Sequence, residues 1–569
     1  MIRTRGLTLI TFSAALLLAP WTLIAAEPPP FRFDAPSGPQ FSDAEKQTQR
    51  DKGAGMVPMV RRILESGAES VRIPPGDYRF GKESWGRDGV IYPLEFSDLQ
   101  RDDAHPFTID ATGATFWFDL PDDQAPTCHF CVGFKGCRNI LFKGATIDRA
   151  SRGHAEGRIT QFDFANNRVE LQLSPGIIVP TTFNDKLEQR VIPFKANGTF
   201  CAPLYALQAG GFHLKYKKLS PATAAGRCWV TMVDTKFLDT IRESGLLRVG
   251  DGLSCVYTVT SALELVRSAK LTMEDIRVYA AKAWGAEYGG YGAHVWKNCY
   301  FGPRPGTSQW QGGEGFMFNA TRHGTTLDGV VIRHTTDDIA NFHGYWGHVE
   351  SLAGNRLTFA RSSEFDGTVL RDIEPGDRLL FRDRNTGQRV GEARAVRTEG
   401  HGGIADRAVA AFTNAIVEWP DHACAGWRVL RCDFQDNYQR LLIQSGPGTV
   451  SDCLFARQGQ GIEINSDFPF VEGGVARDIT ISDNTFVEVN PQPGGAAIAM
   501  HTNTYDGGAP PFTNIVIRGN TFIRPGSVAI RLDSFHGGII VGNRFEQTAR
   551  PPLELKRCSG IREENNQHR

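Results

Sequence analysis

Three carboxylates occur where hydrolytic chemistry would need them. Glu314 lies in Gly312-Gly-Glu-Gly-Phe-Met-Phe318. Asp337 and Asp338 lie in Val330-Val-Ile-Arg-His-Thr-Thr-Asp-Asp-Ile-Ala-Asn-Phe-His-Gly344. Glu314 precedes Asp337 by 23 residues, one turn of the repeat described below. Stacked turns would set these two backbones side by side, with Asp338 as a third acid. Three acids so close cannot all ionise without cost, so one holds a proton near neutral pH. A protonated acid beside an ionised base is the pair that glycoside hydrolysis uses. A carboxyl separation of about 5–5.5 Å gives retention, and one of about 6.5–9.5 Å gives inversion. Sequence leaves that separation open. An isolated Asp-Asp is more often a solvated turn or a calcium site, but Glu314 one turn away, with Asn341 and His343 just after, favours a functional cluster. Asn341 and His343 read equally as a ladder Asn and a core His, or as donors to sugar hydroxyls.

Other residue types suited to sugars gather nearby. Trp284, Tyr288, Tyr291, Trp296, Trp310, Tyr345 and Trp346 offer rings on which sugar C–H faces stack, or else they are core. Trp310 is the substrate-stacking candidate. Arg440, Gln444, Glu463, Asp467 and Glu472 occur among the following turns and are candidates to line the same groove, Arg440 and Glu472 foremost. Arg304, Arg322, Arg333 and Lys297 flank the acids.

The elements that must position these residues form a degenerate repeat, apolar-x-x-(Asn/Cys)-x-Phe. It reads Val429…Cys432…Phe434, Val450…Cys453…Phe455, Ile481…Asn484…Phe486, Ile517…Asn520…Phe522 and Ile540…Asn543…Phe545, with a weaker copy at Val295…Asn298…Tyr300. Successive copies are 21, 31, 36 and 23 residues apart. Such periods mean one supersecondary coil per repeat with loops of variable length. Stacked Asn side chains can bond from coil to coil, and stacked Phe can fill the core. The predicted architecture is all-β: a right-handed parallel β-helix with coils about 4.8 Å apart. A propeller would have blades of more regular length. Met56 to Ser66 has helical spacing and would cap the first coil, which cannot bury its end alone. Two segments break the repeat, about 155–262 and about 347–412. Each has a Gly-led strand, a turn at Asn, a second strand and a Gly-Asp turn, and each reads as a small inserted antiparallel β-barrel. The expected organisation is a signal peptide over 1–26, a cap and first coils over 27–154, the first barrel over 155–262 and acid-bearing coils over 263–346. The second barrel follows over 347–412, and the last coils over 413–569.

Composition bounds the partners. With 62 Lys+Arg against 63 Asp+Glu, the 569-residue chain has a net charge of −1, which removes the electrostatic case for nucleic acid. Arg3 and Arg5, the apolar Leu7–Leu18 run and Ala25-Ala26 read as a secretory signal, so the mature chain is expected to be exported, periplasmic or secreted. No other segment has the ~18 apolar residues of a spanning helix. The 11 cysteines read as buried thiols or one local disulfide rather than a metal site. Cys128-His-Phe-Cys131 lacks a second pair at matching spacing, and no cofactor or metal is expected.

Asp337-Asp-Ile-Ala-Asn-Phe-His-Gly344 resembles the Asp-Asp-x-x-Asn-x-His segment of glycoside hydrolase family 110, the exo-acting α-1,3-galactosidases. Gly313-Glu-Gly-Phe316, Arg440-Leu-Leu-Ile443, Phe470-Val-Glu-Gly473 and Asp478-Ile-Thr-Ile-Ser-Asp-Asn-Thr-Phe486 resemble other coils of that family. The resemblance spans most of 55–550 and is specific over 310–345 and 438–486. It implies metal-free, inverting removal of terminal α-linked galactose. Glu314 would then be the general acid, and Asp337 and Asp338 would share the base role. The family has Asp where this chain has Glu314, which moves the carboxyl by about one bond length, enough to matter for catalysis, and marks a divergent member. The partner would be a carbohydrate, and a homodimer is allowed. Three other readings stay open. One is a polygalacturonase- or carrageenase-like glycosidase on an anionic polysaccharide. Another is a polysaccharide lyase, and the last a non-catalytic binding solenoid.

Overall fold

The computed structural model describes residues 41–81, 93–119, 129–149, 154–175, 177, 179, 190–201, 204, 214–256, 260–279, 285–305, 307, 313–360, 370–409, 415–466, 472–490, 495–502, 512–526, 528–548 and 551–569. The predicted signal peptide, Trp284, Trp310, Asp467 and Cys128 lie outside them.

The chain coils through three parallel sheets. The first runs from Ser70–Arg72 to Ser559–Glu564 and the second from Gly76–Phe80 to Gln567–His568, each with 12 strands. The third runs from Leu94–Ser97 through Thr260–Val266, Phe316–Asn319, Ala340–Ala353 and Leu441–Ile443 to Leu553–Lys556. Parallel pairing between strands one coil apart is what a β-helix requires and a propeller lacks.

The predicted repeat is the core itself. Asn484 donates through Nδ2 to Asn520 Oδ1 at 3.0 Å, Asn520 to Asn543 at 3.0 Å and Asn543 to Asn566 at 3.1 Å. Each inward amide is thereby satisfied by the next coil, which is the condition for burying it. Phe455, Phe486 and Phe522 stack with centroids 4.8 Å apart, the strand spacing of a sheet. Cys453 Sγ takes the Asn position and accepts from the Cys432 amide at 3.3 Å. The ten described cysteines are free thiols, nine of them buried. One copy of the repeat sits a residue away from its expected frame. Register aligns Val429 with Leu327 and Leu327 with Trp296, so the true copy is Trp296…Cys299…Phe301, not Val295…Asn298…Tyr300. A one-residue slip exchanges the inward and outward faces of a strand. Here the indole of Trp296, packed on Phe301 and Phe316, fills the place of an aliphatic residue.

Two helices stand ahead of the first strand. Asp43–Ala54 starts on a reciprocal Ser42–Glu45 capping box, and Met56–Glu65 buries Met56 and Val60 in the solenoid core.

The inserted segments leave from opposite edges of the third sheet. After Thr146–Arg149 of the second sheet, six antiparallel strands between His154–Asp163 and Gly252–Val256 form one unit with its own core. A bridge between Arg190 and Lys215 joins its outer strands. The other insertion has no separate beginning. The 14-residue strand Ala340–Ala353 is a solenoid strand over its first residues and a barrel strand over its last. It pairs with Arg356–Phe359 on one side and Ala415–Glu418 on the other, closing an antiparallel barrel. That closing strand lies beyond residue 412, because a barrel needs a last strand to meet its first.

Candidate active site

The acid-bearing turn joins Val331–Arg333 of the second sheet to Ala340–Ala353 of the third. Asn437 holds it from inside: its Oδ1 accepts from the Thr335 amide at 3.1 Å and its Nδ2 donates to Ile332 O at 3.1 Å. The next coils fix the exit, with Ile339 N donating to Arg440 O and Gly315 N to Asp338 O, both at 2.7 Å. Gly315 is obligatory there, since a Cβ would run into the Ile339 carbonyl.

Register corrects the expected stacking. Phe316 pairs with Ala340 and Asn319 with His343, so the coil offset is one residue longer than the Glu314–Asp337 interval. Extended to the turn, that register sets Glu314 opposite Asp338 rather than Asp337.

The two aspartates are held differently. Asp337, half-buried, receives Arg190 Nη2 at 2.9 Å, and Arg190 Nη1 donates to Thr336 O at 2.7 Å. Arg190 belongs to the first inserted unit and is itself buried. Asp338 is buried and lies 3.2 Å from Arg440 Nε. In its hydrogen-bonding orientation the Gln439 amide nitrogen is 3.3 Å from Asp337 Oδ1 and 3.2 Å from Asp338 Oδ1. Those two oxygens are therefore at most about 6.5 Å apart, which reaches only the short end of the inverting range.

Burial pushes the Asp338 carboxyl well above the usual carboxylate range. Arg440 opposes the shift, while Asp337, Glu463 and Glu314 reinforce it. Contact with a guanidinium would by itself favour the carboxylate. Desolvation together with three neighbouring acids outweighs it, so Asp338 is the proton holder of the cluster.

Arg440 spans two acids, with Nη1 2.9 Å from Glu463 Oε2. Glu463 also accepts from Asn465 Nδ2 at 2.9 Å, and His501 Nε2 stands 3.7 Å from it. Asn341 donates to Glu472 Oε2 at 3.0 Å. Glu472 reaches it because Gly473, pressed on the Trp346 indole, pairs with Gly344.

Several expected ligands belong to packing. His343 is fully buried, with Nδ1 2.6 Å from Gly344 O and its ring edge-on to Tyr345. Trp296, Trp346 and Tyr345 are buried, since sheet positions facing the solenoid or barrel interior demand large apolar groups. The flanking basic residues pair elsewhere: Arg304 with Asp148, Arg322 with Asp377, Arg333 with Asp433 and Lys297 with Glu274. Arg190 and Gln439 escaped sequence reading. Gln439 was recoverable, since it stands one residue before Arg440. Arg190 carried no local signal.

No family model and no curated protein matches the chain. Solved structures do. The A-module of an Azotobacter vinelandii mannuronan C-5 epimerase is 9% identical, with a TM-score of 0.39, over 90% of this chain and 95% of that one. A polygalacturonase from Erwinia carotovora ssp. carotovora is 10% identical, with a TM-score of 0.33, over 89% and 91%. An endo-xylogalacturonan hydrolase from Aspergillus tubingensis is 8% identical, with a TM-score of 0.37, over 93% and 91%. Similarity at this level transfers neither activity nor substrate.

Proposed function

We propose that the chain is an exo-acting glycoside hydrolase that removes terminal α-linked galactose with inversion. The observation that carries this reading is one buried, proton-holding carboxyl beside an ion-paired one. Asp338 is the general acid, the role that the family resemblance would give to Glu314. Asp337, oriented by Arg190 and Gln439, is the base that takes a proton from the attacking water. Glu314, opposite Asp338, raises the acid's proton affinity and orients the leaving group. In the reaction the Asp338 proton passes to the glycosidic oxygen as the C–O bond breaks. Water adds to the opposite face of the sugar and gives its proton to Asp337, which returns both groups to their starting charges on proton exchange with solvent. Arg440 and Glu463, a charged pair on the same sheet face, supply donors and acceptors for sugar hydroxyls.

The test is turnover of aryl galactosides and α-1,3-linked galactosyl oligosaccharides, with the first anomer released followed by NMR. Fresh β-galactose from an α-linked substrate is expected. Asp338→Asn is expected to cost on the order of 10²–10⁴-fold in kcat, with sugar binding retained. Fresh α-galactose would overturn inversion. One observation favours a second reading: Arg190 and Arg440 both reach the acids, and guanidinium groups match carboxylates. Polygalacturonate and other uronate polymers therefore belong in the panel. Unsaturated products from them with no galactose release would replace the hydrolase by a lyase.

A further inference from the structure

A pocket lies across the third sheet from the acids. The acidic cluster gathers where strands enter that sheet. The pocket opens where they leave it, at the seam between the solenoid and the second barrel. Arg440 precedes the strand Leu441–Ile443 and Pro447, in the pocket wall, follows it. The cavity measures about 340 Å³ and is lined by Arg322, His323, Arg378, Asp421, Pro420 and Pro447, with Ala425 and Gly426 between them. This is within the range of small-molecule sites, about 300–1,000 Å³.

Its polar groups are fixed from behind. Asp377, nearly buried, binds Arg322 Nη1 and Nη2 at 2.9 and 3.0 Å, and it accepts from the Glu374 amide at 2.7 Å. Behind Asp377 stands His422, fully buried, with Nε2 at 2.9 Å. Asp421 receives the Arg378 amide at 2.8 Å, Nε at 3.1 Å and Nη2 at 3.0 Å. Arg322 Nη2 also lies 3.0 Å from Glu374 Oε2 and 3.5 Å from Asp372 O, so the Arg322 Nε–H and the Arg378 Nη1 N–H groups are the donors left outside these pairs. His323, exposed on the rim, packs against Tyr291, which is itself 37% exposed. Proline faces, the His323 imidazole, planar donors and one lining carboxylate are the mixture that recognises a sugar ring, apolar on its C–H face and polar around its edge. Each guanidinium already faces an aspartate, so the pocket has little net charge to attract an anion.

We infer that this seam is a second, non-catalytic saccharide site that takes a neutral hexose unit of the substrate. It rests on the carbohydrate reading above, extends it to a region the chemistry does not use, and would hold a longer glycan on the side of the sheet away from the acids.

The experiment is saturation-transfer NMR with the methyl glycosides of galactose, glucose and mannose, and with galacturonate as the anionic contrast. It uses the full chain, Asp338→Asn and Arg378→Ala. The expected result is transfer to the glucoside or the mannoside, read apart from the galactoside that the acid site also binds, that persists in Asp338→Asn and falls at least tenfold in Arg378→Ala. Arg378→Lys, which keeps the charge and loses the fork, serves as the second variant if Arg378→Ala does not fold, and the same fall is expected. Undiminished transfer in the folded Arg378 variants, or none in Asp338→Asn, overturns the site. Galacturonate binding more strongly than every neutral glycoside overturns the neutral assignment. Seam binding in a chain without galactosidase turnover would leave this inference standing and remove the catalytic one. Turnover without seam binding would do the reverse.

Discussion

Asp338 keeps its proton because burial and three neighbouring carboxylates outweigh one guanidinium. Glu264 is pushed up to about 8 by burial alone, and Glu287, buried between Trp296 and Thr325, to about 7. These shifts have a sign in stability. Between the ordinary carboxyl value near 4 and the raised one, the native chain carries a proton that the unfolded chain has released. Stability contributed by each group is therefore full at low pH and is lost as pH rises towards the raised value, by about 1.4 kcal/mol per pH unit. Glu264→Gln should remove one group's share of the fall between about pH 5 and pH 8. Denaturant titrations across that range would read it, and an unchanged slope would refute the assignment. Arg190 acts at the same scale through position. Arg190→Ala is expected to lower kcat on the order of 10–100-fold with KM nearly unchanged, because the group orients Asp337 and not the sugar. Arg190→Lys should recover only part of this, since an ammonium lacks the fork that spans Thr336 and Asp337. Equal losses in kcat and in sugar affinity would count against a positioning role.

Coils are the elements that turn sequence into geometry, and their bookkeeping is local. Each ladder Asn is satisfied by its neighbours above and below, so Asn520→Ala orphans buried partners on two coils. A loss of about 1–3 kcal/mol is expected for each unsatisfied group, measurable as a shift in denaturant midpoint. Gly315→Ala would push Glu314 away from Asp338. A displacement of about 1 Å in such a cluster costs on the order of 10²-fold, so turnover should collapse, with a lower denaturant midpoint from the clash with the Ile339 carbonyl. This is also the scale at which the sequence was most legible. The Asn and Phe ladders, the acid turn and the two interruptions were all readable, because inward positions in a stacked coil admit few residue types. The misreadings were of phase. Trp296 in an aliphatic position hid one copy, and counting from loop residues set Glu314 beside the wrong aspartate. Aromatic composition misled as well, since Tyr345 packs in the barrel core and Trp346 in the solenoid core, which spacing alone could not orient.

At the scale of the molecule, the two inserted units lie at opposite edges of one sheet, and each contributes side chains to a different recess. A solenoid transmits stability mainly between neighbouring repeats. The coils between the insertions, covered on outward faces that other coils expose, should therefore open last. Hydrogen exchange should show the slowest amides in Phe316–Asn319 and Ala340–Phe342 and the fastest in Leu553–Glu564. Uniform protection along the axis would contradict this. Distance in sequence explains what remained hidden, since Arg190 stands 147 residues ahead of its carboxylate partner and no local pattern announces such a pairing.

That distance has a consequence in time. On the ribosome, the strand bearing Arg190 is made well before the turn it will clamp, so the acid turn emerges towards a partner already shaped. On dilution from denaturant both appear together, and the long loop between them must close before the clamp can form. Competence should then lag behind structure. Far-ultraviolet dichroism would recover first and turnover later, and a chain synthesised in order would pass through no such dormant interval.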